Sequence, residues 1–248
     1  MKAISLKKLV VRIVLVFATV EIGAMLILEH IFPDLSSSTK IFLDVSILSI
    51  FSIPLIFLWA IRPYREARDQ AIEKMNYLAF HDPLTQLANR RLMLEQLEKM
   101  MASHIRHQLY GAILAIDLDQ FKPINDAYGH DAGDAVLVEI SKRLSSVCRK
   151  EDLVSRSGGD ELIVLLNHLD QEREAAHKKA QIIAEKLQKL LHRPISHRGN
   201  KLEVTASIGI RLIGEGDDDS LGTVIREADS AMYSAKQAGG GLVAFFEK

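Results

Sequence analysis

The stretch Arg156–Leu166 reads RSGGDELIVLL. Two glycines precede two acids, and the acids open a run of apolar, β-compatible residues. Leu162–Leu166 reads as a core strand, so Asp160 and Glu161 stand at its lip. Packing alone gives no reason for adjacent carboxylates there, because near a buried strand end each needs a cation or a hydrogen-bond donor. A second acidic pair lies upstream in AIDLDQF, where Asp117 and Asp119 close the apolar run Tyr110–Leu118. Residues two apart on a strand share a face, so these two carboxylates point the same way.

Working outward, the periodicity alternates. Asp82-Pro83 signals a turn, and Asn89 is placed to cap a helix over Arg91–His107. Tyr110–Leu118 is a strand. Gly133–Cys148 is an amphipathic helix with Val136, Ile140, Leu144 and Val147 on one face. Leu153–Arg156 and Leu162–Leu166 are strands joined by Ser157–Glu161. Gln171–His192 is a helix, Leu202–Leu212 a strand, Ser220–Ala238 a helix and Leu242–Phe246 a last strand. The order β-α-β-β-α-β is that of a ferredoxin-like α/β (α+β) unit with added elements at both ends. In that order the first strand pairs with the third, which brings Asp117 beside Asp160 and Glu161.

Carboxylates gathered in this way repel unless a cation sits among them. An oxygen-only donor set without clustered His or Cys favours Mg2+ or Mn2+. Such an ion commonly carries a polyphosphate, which points to phosphoryl or nucleotidyl transfer; the other reading is solvated strand ends with structural glycines. In the following segment, QFKPINDAYGHDAGD (Gln120–Asp134), Lys122 is a free ammonium just past the strand. Asn125 and Asp134 have the donors and acceptors to read a guanine edge, and each is also an ordinary turn or cap residue. His104 and His107 fall at helical spacing and read as surface residues without a third ligand.

The first quarter of the chain is different. Leu9–Phe32 and Ile41–Ile61 are each long enough to span a hydrocarbon core, with PDLSSSTK as a short polar turn between them. Lys2, Lys7, Lys8 and Arg12 precede this pair, Arg62, Arg65 and Arg68 follow it, and the loop offers Lys40. The positive-inside rule makes it a two-helix transmembrane hairpin with both ends in the cytoplasm. Arg12, Glu21, Glu29 and Asp44 are costly in lipid; Glu21 and Asp44 are expected to face another helix. Residues 1–61 are therefore read as the hairpin, 62–80 as a linker helix and 81–248 as the soluble domain. The linker is either a solvated helix or a short parallel coiled coil between two subunits. Formal charge is balanced at −1, which gives no support for DNA or RNA as a partner. Cys148 stands alone, so there is no intrachain disulfide, as in a reducing compartment.

RSGGDEL resembles the signature of GGDEF-domain diguanylate cyclases. DPLTQLANRR is similar to the opening motif of that family, DLDQFKPINDAYGHDAGD to its nucleotide segment, TASIGI to its penultimate strand and EADSAMYSAKQAGGG to its closing helix. The motifs keep order and spacing from about Ala79 to the C-terminus. The resemblance implies condensation of two GTP into cyclic di-GMP with release of two pyrophosphates, by two domains facing each other in a homodimer at the inner membrane. It implies that Asp117, the Leu118 carbonyl, Asp160 and Glu161 hold the metal, and that Asp160, Glu161 and Lys122 serve catalysis, with Asp160 the favoured proton acceptor. It assigns Asn125, His130 and Asp134 to guanine, Gly158 and Gly159 to close backbone approach of the nucleotide, and Lys122 and Lys236 to phosphate. Arg149 and Asp152, in RKED, match the RxxD product-inhibition site of the family. The alternative is a non-catalytic receptor for GTP or cyclic di-GMP. Three positions depart from the pattern: Leu162 for the signature phenylalanine, Gln86 for a turn glycine, and Gly240 for a phosphate-binding arginine.

Overall fold

The computed structural model describes residues 6–214 and 219–247, and the chain forms two compact units, Met1–Tyr77 and Leu78–Lys248. In the first unit, helix α1 (Leu6–Ile31) packs on α2 (Ser37–Ile56). Ser36 caps α2, its Oγ accepting from the Thr39 amide. A π-helical turn, Phe57–Ile61, then leads into α3 (Arg62–Phe80). Lys7–Ile31 and Ser37–Phe80 are long and apolar enough to cross a membrane by length and composition. Val16, Ala24, Leu28, Ser52 and Ala60 are buried, while Val10, Val14, Ile22, Ile41 and Ile53 point outward. Arg12 donates to the Trp59 carbonyl at 3.0 Å and stacks on its ring. Asp44 lines a cleft with Glu29 and Lys40, whereas Glu21 is exposed.

The second unit is built on a six-stranded sheet in the order β1-β3-β4-β2-β7-β8. Its strands are β1 (Ala88–Asn89), β2 (Tyr110–Asp119), β3 (Leu153–Gly158), β4 (Glu161–Asp170), β7 (Thr205–Ile213) and β8 (Val243–Phe245). A separate hairpin pairs β5 (Ile195–His197) with β6 (Asn200–Leu202). Around them lie α4 (Arg90–His107), α5 (Phe121–Tyr128), α6 (His130–Val147), α7 (Arg173–Leu191) and α8 (Leu221–Gln237). β2 is central and antiparallel to both β4 and β7.

The alternation of side chains fixes the two layers. Leu114, Ile116 and Leu118 of β2 join Val136, Ile140 and Leu144 of α6 and Ala180, Ala184 and Leu187 of α7. Ile113 and Ala115 face the other way, onto Met93 and Leu97 of α4 and Val224 and Ala228 of α8. The odd-numbered face of β2, which carries Asp117 and Asp119, is therefore the face under α4 and α8. Helix α8 lies close on the sheet: a Cβ at Gly209 would run into the α8 backbone at Ala228 and Met232. Asn89 caps α4 as its position suggests, accepting from the Arg91 and Leu92 amides at 3.0 and 3.1 Å.

His104 is not a surface residue. It is fully buried, packed against Gly111 of β2, on the same stripe of α4 as Met93, Leu97 and Met100. Helix α5 and the β5–β6 hairpin are additions to the elements read from the sequence. Leu162 is buried in the core with Val164 and Leu166. Gln86 takes the left-handed backbone, φ +62, that the turn requires.

Candidate active site

The acids converge at one corner of the sheet. Asp117 on β2 stands opposite Glu161 on β4 and Ser207 on β7. Asp160 precedes Glu161 in the turn from β3. Gly158 and Gly159 carry φ +154 and +53, conformations that favour glycine, and a Cβ on either would meet no protein atom. The glycines thus serve the turn and leave open space above it; they do not make room for another part of the chain.

Lys236, near the end of α8, places its Nζ 2.5 Å from Asp117 Oδ1. Burial lifts the Asp117 carboxyl above its ordinary value. The Lys236 ammonium opposes that shift, and the charges of Asp160 and Glu161 reinforce it. The three carboxylates are therefore electrostatically coupled, and a cation among them relieves the coupling. Among the described residues no three acid, histidine or cysteine side chains already stand within reach of one ion. By chemistry the set fits a hard divalent ion: it offers oxygen donors and an unfavourable local charge. Leu118, whose carbonyl is a further candidate donor, pairs with Ala206 across β7.

Asp119 has a different role. It accepts from Thr205 Oγ1 at 2.7 Å, Ser207 Oγ at 2.8 Å and the Gly241 amide at 2.8 Å. It ties the end of β2 to β7 and to the loop after α8. In that loop Gly239, Gly240 and Gly241 all have positive φ. A Cβ on Gly240 would approach the Asp119 carboxylate to 3.2 Å. The glycine in place of an arginine is thus built into the loop geometry, and an arginine there meets backbone strain.

Arg156, two residues before Gly158, was given no role by sequence reasoning. Its Nε and Nη2 both donate to the Gly159 carbonyl, at 2.9 and 2.7 Å, and its Nη1 reaches Asp82 Oδ1 at 3.1 Å. Asp82 also accepts from the Thr85 amide and hydroxyl. Burial works against the charge on Asp82, yet these hydrogen bonds outweigh it and hold the carboxyl below its ordinary value. The opening turn and the glycine turn are thereby joined. Asp229 of α8 lies beside Arg90, Ser157 and Glu161 around a small cavity, and burial raises its carboxyl despite Arg90.

The remaining candidates lie on other elements. Lys122 is exposed in the first turn of α5, and His130 and Asp134 are exposed on α6. Asn125 is half-buried against α6 where Gly133 gives it room; a Cβ at Gly133 would strike its side chain. Arg149 and Asp152 lie at the opposite end of β3 from the glycine turn. Asp152 accepts from the Arg149 amide at 2.7 Å and the Asn167 amide at 3.0 Å, while the Arg149 side chain is exposed.

Fold and site define an α/β domain with acidic strand ends beside an open glycine turn. Residues 79–241 match the family model described as diguanylate cyclase, GGDEF domain. The chain is 39% identical over 178 residues to MucR of Pseudomonas aeruginosa, a bifunctional diguanylate cyclase/cyclic di-GMP phosphodiesterase, covering 72% of this chain and 25% of that protein. It superposes on the GGDEF domain of TpbB from the same species with TM-score 0.62 and 37% identity, covering 67% of this chain and 94% of that one. It also resembles the GGDEF domain of DgcB from Caulobacter crescentus, solved with c-di-GMP, at TM-score 0.59 and 25% identity, covering 68% of this chain and 94% of that one. The chain belongs to the GGDEF-domain diguanylate cyclase family. The match covers 25% of MucR and 35% of TpbB, so the chain spans well under half of the length of these curated relatives.

Proposed function

We propose that this chain is a membrane-anchored diguanylate cyclase that condenses two GTP into cyclic di-GMP and two pyrophosphates. The observation that carries the reading is the coupling of Asp117, Asp160 and Glu161 beneath a glycine turn that leaves open space, with Lys236 as the nearby cation. Asp117, Asp160, Glu161 and the Leu118 carbonyl would hold Mg2+ or Mn2+, which when bound supplies charge neutralisation at the triphosphate. Lys236 and Lys122 meet phosphate charge. Asn125 and Asp134, with His130 nearby, hold the guanine. Asp160 takes the proton of the 3′-hydroxyl as that oxygen bonds to the α-phosphorus of the facing nucleotide and pyrophosphate leaves. Glu161 is the second acid–base candidate.

One domain supplies one GTP, so two copies must face each other. The exposed apolar positions Ile72, Met75 and Leu78 on α3 support a homodimer through that helix. The two apolar helices support an inner-membrane hairpin with both termini and the catalytic domain in the cytoplasm. Arg149 and Asp152 form the product-inhibition site: the exposed guanidinium can grip phosphate or a guanine edge. We expect Arg149→Ala to relieve inhibition by added cyclic di-GMP while sparing the initial rate; equal inhibition of both proteins returns these residues to a surface turn.

The absence of an arginine at Gly240 favours a second reading, a receptor that binds GTP or cyclic di-GMP without turnover. Incubating the full-length protein with α-labelled GTP and Mg2+ separates the two. Cyclic di-GMP with two equivalents of pyrophosphate supports the cyclase, and binding without product supports the receptor.

A further inference from the structure

At the opposite end of α1 from the cleft of Glu29, Lys40 and Asp44, the first unit has a second opening. Lys7, Lys8, Val11, Arg12 and Leu15 of α1, with Trp59 of the π-helical turn, line a groove of about 360 Å³. Spacings of three and four residues put the α1 members on one face of the helix. The lining is of two kinds. Val11, Leu15 and the indole form an apolar floor, and three cations stand at one end of it. No carboxylate lines the groove. Lys7 and Lys8 are exposed, and among the described residues neither has a hydrogen bond or ion pair. Arg62 and Arg68 on α3, by contrast, have Glu66 and Asp69 beside them.

One wall of the groove is fixed. Arg12 Nη1 donates to the Trp59 carbonyl at 3.0 Å, and the guanidinium lies over the indole, 5.1 Å from its centroid. The chain at Trp59 is wound as a π-helix, with the Arg62 amide donating to the Phe57 carbonyl. That winding is uncommon and recurs at functional sites. Cations at the end of an apolar floor suit an anion that carries a hydrocarbon tail. A soluble anion would use the basic end and leave the floor bare. Val10 and Val14, on the neighbouring row of α1, face outward and extend the apolar surface past the groove.

We propose that this groove binds one anionic phospholipid, with its phosphate among Lys7, Lys8 and Arg12 and an acyl chain along Val11, Leu15 and Trp59. The inference rests on the reading of this unit as a membrane hairpin. That reading puts the groove at the cytoplasmic interface, where anionic headgroups lie and tryptophan is favoured. Three cations with no carboxylate among them disfavour a zwitterionic headgroup, whose own cation they repel. The groove adjoins the passage from α2 into α3, so the lipid it selects sits at the root of the linker helix.

Trp59 is the chain's one tryptophan, so its fluorescence reports the groove. The full-length protein is reconstituted in phosphatidylcholine nanodiscs that carry the same small fraction of either dibrominated phosphatidylglycerol or dibrominated phosphatidylcholine. Bromines on the acyl chain quench an indole that they touch. Salt at about 0.15 M screens exposed charges more than about 8 Å away. The brominated phosphatidylglycerol should quench with at least about fivefold higher apparent affinity, the worth of one basic side chain near an anionic surface. The double variant Lys7→Gln, Lys8→Gln replaces exposed side chains and keeps the Arg12–Trp59 contact, and in it the two lipids should quench alike. Equal quenching by both lipids in the parent protein, or a preference unchanged in the double variant, overturns the site and leaves the hairpin standing. Release of the quenching by added inorganic phosphate would assign the groove to a soluble anion and also overturns it. Quenching by neither lipid would place Trp59 outside the bilayer, which removes the hairpin reading and the site with it.

Discussion

Asp117 and Asp119 stand two residues apart on the same face of the same strand, and their surroundings differ in kind. Asp119 is saturated by two hydroxyls and a backbone amide and joins three segments of the fold. Asp117 has one lysine, 34% exposed at its side chain, and two neighbouring carboxylates that resist its ionisation. The β7 side of this corner is therefore a finished hydrogen-bond network, whereas the β4 side is an electrostatic problem left open. The difference teaches where function sits. A carboxylate that the fold satisfies belongs to the scaffold, and one that the fold leaves in conflict is the candidate for a functional role.

The largest expected effect is on the open side. Asp160→Asn should lower cyclic di-GMP synthesis by about 100-fold or more, by analogy with the loss of a group that stabilises transition-state charge, and circular dichroism should show an intact fold. Near-parent turnover by the folded variant would remove Asp160 from the chemistry and blur the contrast between the two sides.

The next effect concerns the bridge between them. Asp82 is held below its ordinary value, so its charged form stabilises the fold above pH 3.8, and that contribution is lost as pH falls through the lowered folded value. Asp82→Asn should melt below the parent near neutrality, and the two melting temperatures should converge as the pH drops below 3.8. A constant gap across acid pH would mean that the Asp82–Arg156 contact contributes nothing through charge. The smallest effect is on the scaffold alone. Gln86→Gly should raise stability by up to about 1 kcal/mol, because it relieves a left-handed backbone at the expense of unfolded-state entropy. A chemical denaturation midpoint reads it, and a lower midpoint would show that the Gln86 side-chain bond to the Pro83 carbonyl matters more than the strain.

Much of this was legible in the sequence. The β-compatible runs gave the succession of elements and the pairing of the first core strand with the third, and the two-residue spacing put both aspartates on one face. Asn89 announced its cap. Helix α5 was hidden because QFKPIND carries a proline and turn formers within a two-turn element. The partners of Asp119 lie 86, 88 and 122 residues away, so no local pattern separates it from Asp117. The burial of His104 did leave a signal: it continues the stripe Met93, Leu97, Met100 at helical spacing. That stripe outranks the pairing with His107 one turn further on.

The contrast is tested most directly by placing Asp117→Asn and Asp119→Asn side by side and measuring both GTP turnover and denaturant stability on the same preparations. Asp117→Asn should lose turnover and keep or gain stability, because a carboxyl that resists ionisation has been neutralised. Asp119→Asn should lose about 2–3 kcal/mol of stability, the worth of hydrogen bonds to a charged acceptor, while molecules that remain folded still turn over GTP. The opposite pattern, a stable and inactive Asp119→Asn beside an unstable and active Asp117→Asn, would contradict the assignment of function to one carboxylate and structure to the other.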